Sequence, residues 1–309
     1  MKEPKVYSSP GAFRSAFRRK VPARLQKIRI MQRFALRVCS QVPSSVVKGG
    51  LALELRFNET RTTKDIDFVL SGAPDETLGH LRRAAAIDLG DFLRFEVSPE
   101  TRGAIINRVG MAYAGARYIV RAFFGGRKEP EAKFVVDVTY GAVHAWDEVA
   151  AVLPQFPTTK SGTIRLYPTA KQIAEKTHAY TDPLIRDDPK QLRVRDLVDI
   201  CIFATRDEHD ARALRQELQQ TFDQRRDHAR TVHDAQAHSL PSELPPPPAT
   251  WGSPYLELAR RDELVWSDIM AVYAIAKTFL DPVLADPNVS GRWKQSNQAW
   301  LDAAPPPEM

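Results

Sequence analysis

A chain of 309 residues is long enough to bury a sizeable core, and its length suggests about two domains. With 43% hydrophobic and 27% charged residues, and no apolar run near the ~20 residues of a membrane span, it reads as globular and not membrane-spanning. The net charge of +6 permits a polyanionic partner without demonstrating one. Met1-Lys2-Glu3-Pro4 lacks the apolar stretch of a signal peptide, so a cytoplasmic location is expected. Cys39 and Cys201 sit in apolar helical patterns without metal-site spacing and read as buried thiols.

Residues 11–42 follow a helical period interrupted near Pro22. Arg14, Arg18, Arg19, Lys20, Arg24, Lys27, Arg29, Arg33 and Arg37 crowd this stretch, as a solvated helix face or a surface that meets nucleic acid. Residues 45–48 read as a short strand, Gly49-Gly50 as a tight break and residues 51–56 as a short helix. After a polar loop, Asp65-Ile66-Asp67-Phe68-Val69-Leu70 alternates like a half-buried strand. A helix runs from Pro74 towards Gly90, and strand-like segments cover residues 92–97, 112–124 and 133–140. Gly125-Gly126 turns a hairpin between the last two. From Pro168 onward nearly everything is helical in period, with further helices at 194–205, 208–226 and 267–280. The proline-rich residues 238–251 read as an ordered surface loop. The expected organisation is a basic helical segment (1–44), a mixed-sheet domain (45–163), a helical domain (164–302) and a frayed tail (303–309).

The chemistry concentrates at residues 48–67. Side chains two apart on a strand share a face, so Asp65 and Asp67 project together. Adjacent carboxylates repel unless a cation lies between them, and hard oxygen ligands suit magnesium. Gly49-Gly50 lets backbone N–H groups approach a phosphate closely. Phosphate cradle plus paired acids suggests nucleotidyl transfer. The bland alternative is a pair of loop-edge acids balanced by Lys64 and Arg61.

The string Lys48-Gly49-Gly50-x-Ala52-Leu53-x-Leu55-Arg56, followed by Arg61-x-Thr63-x-Asp65-Ile66-Asp67-Phe68, resembles the first motif of the AbiEii/AbiGii toxins. These are nucleotidyltransferases of the DNA polymerase β superfamily found in toxin–antitoxin and abortive-infection operons. Glu175-Lys176-x-His178-Ala179, then Arg195-Asp196-Leu197-Val198-Asp199-Ile200, is similar to the family's later lysine and aspartate motifs. Thr221-Phe222-x-x-Arg225, Leu244-Pro245-Pro246-Pro247-Pro248 and Trp251 match the C-terminal part of many members. Leu51 departs from the family, many of whose members carry Ser or Thr there.

The resemblance implies an α+β fold: a polymerase β-like mixed sheet with flanking helices, carrying a helical C-terminal domain. It implies a third acid from a neighbouring strand, for which Asp137 is the candidate; the alternative is a strand-end acid paired with an arginine. Asp65, Asp67 and Asp137 would hold magnesium, in a two-metal site, and Asp137 could also deprotonate the acceptor hydroxyl. Lys48, Gly49, Gly50, Arg61 and Lys176 would hold the NTP, and Asp196 would position Lys176 or the base, leaving Asp199 a structural role. Thr63 matches a position at which related toxins are silenced by modification, although an ordinary turn or strand threonine is favoured. The implied acceptor is RNA, first of all the 3′ end of tRNA, so that translation stops until an antitoxin intervenes. A protein or small-molecule hydroxyl as acceptor, or a nucleotide- or RNA-binding protein without catalysis, are the alternatives.

Overall fold

The computed structural model describes residues 7–58, 60–71, 74–100, 115–141, 147–150, 162–183, 193–232 and 238–301. The chain forms two compact units, Met1–Tyr167 and Pro168–Met309.

In the first unit, helix α1 (Pro10–Lys20) starts where Ser9 Oγ accepts the Ala12 N–H at 3.2 Å, with Pro10 in the first turn. Val21-Pro22 separates it from α2 (Ala23–Gln41). Strand β1 (Val46–Lys48) leads into α3 (Gly49–Phe57), and β2 (Asp65–Leu70) precedes α4 (Thr77–Ala85). Strands β3 (Leu93–Pro99), β4 (Gly115–Phe124), β5 (Ala132–Tyr140), β6 (Asp147–Ala150) and β7 (Thr163–Leu166) complete a seven-stranded sheet. Its order is β3-β4-β5-β2-β1-β7-β6. The β2–β5 and β1–β7 pairs are parallel and the others antiparallel, so the sheet is mixed.

Alternation divides the sheet into two chemically different faces. Ile66, Phe68, Val120, Val136 and Val138 are buried on one face. There Phe34 of α2 lies 5.2 Å from the Phe95 ring and 5.8 Å from the Phe134 ring. Burying each such side chain contributes about 1.5–3 kcal/mol, which makes this layer the natural foundation of the unit. Asp65, Asp67, Arg117 and Asp137 occupy the opposite, partly exposed face, beside a small apolar cluster of Val46, Val69 and Tyr167.

The crowded basic residues of the N-terminal helices divide three ways. Arg29, Arg33 and Arg37 are buried inside the unit. Arg33 and Arg37 clamp the buried Asp91 at 2.7 and 2.6 Å, and Arg29 Nη1 lies 3.7 Å from Glu54. Asp91 is held below the usual carboxylate range: burial pushes it up, but the hydrogen bonds and charges of Arg37 and Arg33 outweigh that. Arg14 and Arg18 bond Glu131, while Arg18, Arg19 and Lys20 stay exposed. Three of the nine basic residues therefore serve the interior of the unit, and Arg24 and Lys27 are half-buried.

The sheet also reaches further along the chain than residue 163. Strand β7 pairs with β1 through Val47 and Leu166, so a division at 163/164 would cut β7. Helix α4 stops at Ala85, short of Gly90, whose φ of 65° belongs to the turn into β3. Residues 112–114 and 303–309, read as strand start and tail, lie outside the described residues.

The second unit contains α5 (Thr169–Thr181), α6 (Val194–Arg206), α7 (Ala211–Val232), α8 (Gly252–Asp262) and α9 (Ile269–Ala285). Asp268 caps α9 by accepting the Met270 and Ala271 N–H groups, both at 2.9 Å. A small sheet, absent from the sequence reading, joins β8 (His209–Asp210), β9 (Arg292–Lys294) and β10 (Ala299–Leu301). It is anchored by buried Trp293, whose indole N–H donates to Ala204 O at 2.7 Å. The proline-rich segment is ordered across the helices: Tyr180 donates to Pro245 O at 2.7 Å and Tyr273 to Leu244 O at 2.8 Å. Both cysteines are buried free thiols. No described helix is long and apolar enough to cross a membrane.

Candidate active site

β1 passes into α3 without an intervening loop: Lys48 is extended at φ −126°, and Gly49 turns the chain at φ +69°. A residue with a Cβ loses roughly 1–2 kcal/mol in that conformation, whereas glycine adopts it freely. Space imposes the same choice, because a Cβ on Gly49 would stand 2.2 Å from Asp67 Oδ2. On Gly50 it would stand 2.9 Å from Thr63 Oγ1 and 3.2 Å from Arg61 Nη1. The two glycines thus press the main chain against the acid strand and the loop before it. Lys48 at the N-cap makes no side-chain capping bond, and the positive end of the α3 dipole suits an incoming anion. Leu51, the departure from the family pattern, puts its side chain into the hydrophobic core.

Strand register then sets the charges in a row. Lys48 on β1 is opposite Asp67 on β2, Asp67 opposite Asp137 on β5, and Asp137 opposite Arg117 on β4. Asp65, two residues before Asp67, shares their face and accepts a hydrogen bond from Thr63 Oγ1 at 2.9 Å. Thr63 is buried in doing so. Lys48 Nζ lies 5.7 Å from the centre of the Tyr167 ring. The loop carrying Arg61 and Thr63 is tied back by buried Glu54, which accepts from Thr60 N at 3.0 Å and Thr60 Oγ1 at 3.3 Å.

Asp137 lies where the third acid was expected, with both oxygens engaged. Arg117 Nε donates to Oδ1 at 2.6 Å and Nη2 to Oδ2 at 2.7 Å. Hydrogen bonding to Asp137 raises Arg117 above its ordinary pKa, against the effect of burial; the charges of Asp137, Glu100 and Asp65 also raise it. Lys27 of α2 is a further cation that feels Asp65; burial nevertheless brings its pKa below the usual lysine value. Sequence reasoning assigned neither Arg117 nor Lys27 to the site. Only the β4–β5 register, set by contacts distant in sequence, reveals Arg117.

Asp65 and Asp67 fit a hard divalent cation: two carboxylates on one strand face beside a glycine turn, with no apolar side chain on that face between them. Asp137 does not complete a triad as it stands, and among the described residues no three His, Cys, Asp or Glu side chains form a metal cluster.

In the second unit Lys176 of α5 lies between two acids of α6. Its Nζ is 3.1 Å from Asp196 Oδ1 and 2.6 Å from Asp199 Oδ2. Asp199, expected to be structural, is the closer partner and is fully buried. Arg193 Nη1 adds a bond to Asp196 Oδ2 at 3.4 Å. Lys176 is therefore a positioned lysine, fixed across two helices, and not a solvated surface side chain.

A family model described as nucleotidyl transferase AbiEii toxin, type IV toxin–antitoxin system, matches residues 30–294. No curated protein matches significantly. Among solved structures the chain is similar to MenT4, a nucleotidyltransferase toxin from Mycobacterium tuberculosis H37Rv. That likeness has a TM-score of 0.48 and 18% identity, covering 74% of each chain. It is also similar to JHP933 from Helicobacter pylori, with a TM-score of 0.37, 18% identity, and coverage of 79% of this chain and 92% of that one.

Proposed function

Because the chain belongs to the AbiEii family of nucleotidyl transferase toxins, we propose that it joins a nucleotide from an NTP to the end of an RNA, first of all the 3′ end of tRNA. It is a nucleotidyltransferase and, as the toxin of a type IV toxin–antitoxin system, has an NTP substrate and an antitoxin partner. The observation that carries the site assignment is the close approach of Asp67 to Gly49, which sets a backbone turn at a helix start beside a paired carboxylate.

The acceptor hydroxyl attacks the α-phosphorus and releases its proton to solvent, the new phosphodiester forms, and pyrophosphate leaves with the electrons of the broken P–O bond. Gly49, Gly50 and the N-terminus of α3 receive triphosphate oxygens, with Lys48 and Arg61 supplying positive charge around them. Asp65 and Asp67 would hold the divalent metal that such transferases use, here proposed to be magnesium, which would neutralise phosphate charge. In the second unit Lys176, which bonds Asp196 and Asp199, is the proposed catalytic lysine. Blocking the tRNA end would stop aminoacylation and hence translation, in the cytoplasm where both substrates occur.

The test is incubation of the full chain with each labelled NTP, magnesium and total tRNA, beside an Asp65→Ala, Asp67→Ala double variant. Label should enter tRNA with at least one NTP, and the double variant should lose it by about 100-fold or more. Equal labelling by the double variant would remove these acids from the chemistry. Label in protein with none in RNA would change the acceptor.

A further inference from the structure

We infer that Arg117 is the fixed second cation of this site, so that the chain takes one divalent ion, on Asp65 and Asp67, where a three-acid site would take two. This rests on the nucleotidyltransferase reading and concerns how that site is charged. Four neighbouring strands present Lys48, Asp67, Asp137 and Arg117 as register partners on one face. The row reads plus, minus, minus, plus, with the Asp65 and Glu100 carboxylates beside it.

Arg117 is built into its place. Two parallel hydrogen bonds of 2.6 and 2.7 Å match its Nε and Nη2 to the two oxygens of Asp137, the fork geometry that suits arginine and not lysine. Glu100 approaches Nε to 3.7 Å, and β4 and β5 are paired over their whole common length, which fixes both side chains at their roots. Arg117 and Asp137 are each mostly covered, at 24% and 21% side-chain exposure, so water screens the pair weakly.

An ion bridging Asp67 and Asp137 would have to share an oxygen with Arg117, and to sit beside a guanidinium whose charge cannot be removed by losing a proton. The guanidinium already supplies positive charge at the position where such an ion would act. It does so permanently, and independently of the metal concentration. Asp137 is in this account a positioning residue that orients Arg117, and not a metal ligand.

The test counts Mn2+ bound to the metal-stripped full chain by electron paramagnetic resonance. The wild type should bind one ion per chain. Arg117→Gln frees the Asp137 carboxylate beside Asp67 and should raise the count to two, and adding Asp137→Asn should return it to one. Arg117→Lys, which retains charge and loses the fork, should stay at one and serves if the glutamine variant does not fold. Two ions on the wild type, reduced to one by Asp137→Asn, would overturn the inference, as would a folded Arg117→Gln protein that still binds one. An Asp65→Asn, Asp67→Asn variant separates the two levels: if it binds Mn2+ like the wild type, the site reading itself fails, whatever Arg117 does.

Discussion

Gly49 carries two independent constraints, a left-handed φ of +69° and 2.2 Å of room before Asp67 Oδ2. Gly49→Ala must therefore either rotate the turn or displace the carboxylate. The expected cost is about 1–2 kcal/mol from the backbone conformation alone, read by urea denaturation. Nucleotide incorporation should fall further than stability, by about 100-fold, since a small misplacement of a reacting group is amplified in rate. A fully active Gly49→Ala protein would contradict the close approach. The two ingredients of this contact, though not the contact itself, were legible in the sequence, because glycine pairs and Asp-x-Asp are local signals. Arg117 was not. Its bond to Asp137 spans 20 residues and depends on which strand faces which. The pairing of Asp137 with an arginine could be stated as an alternative, but its partner could not be named.

Most elements with a clear period were readable, as was the three-residue β1 beside its glycine break, whereas α8, which follows the proline-rich loop, was not read separately. Strands β6 and β7 have four residues each and the strands of the small sheet two or three, too short for a period to appear. The buried arginines of α2 were misleading for a different reason: charge predicts exposure unless a partner is known, and Asp91 lies more than fifty residues away. A related burial on α5 predicts acid sensitivity. His178 packs 4.8 Å from the Phe222 ring and 4.5 Å from the His238 ring. Burial first, then His238 and Arg225, lowers its pKa from 6.5 to about 3, with Glu175 opposing and Arg193 adding slightly. The unfolded chain accepts this proton first. The neutral ring's stabilisation is therefore complete above pH 6.5 and is lost progressively as pH falls towards 3. Calorimetry between neutral and acid pH should show the second unit's melting temperature falling, and His178→Gln should flatten that dependence. An unchanged slope in the variant would assign the acid sensitivity elsewhere.

For the whole molecule, composition and a net charge of +6 left a polyanionic partner open, and the family match identifies a nucleotidyltransferase toxin. Of the basic residues near the N-terminus, Arg29, Arg33 and Arg37 are consumed internally by Glu54 and Asp91, and Arg14 is paired with Glu131. Net charge is thus a poor guide to an RNA surface here, and Arg18, Arg19 and Lys20 are the exposed basic cluster of α1. Local motifs located the catalytic candidates of both units, whereas their charge balance emerged only from long-range pairing.

The most direct measurement is calorimetric titration of the full chain with a non-hydrolysable NTP analogue, with and without magnesium, in wild type and in Asp65→Asn, Asp67→Asn. Magnesium should tighten wild-type binding about 10-fold or more, and the double variant should lose that gain. Magnesium-dependent binding of equal strength in the double variant would contradict the account.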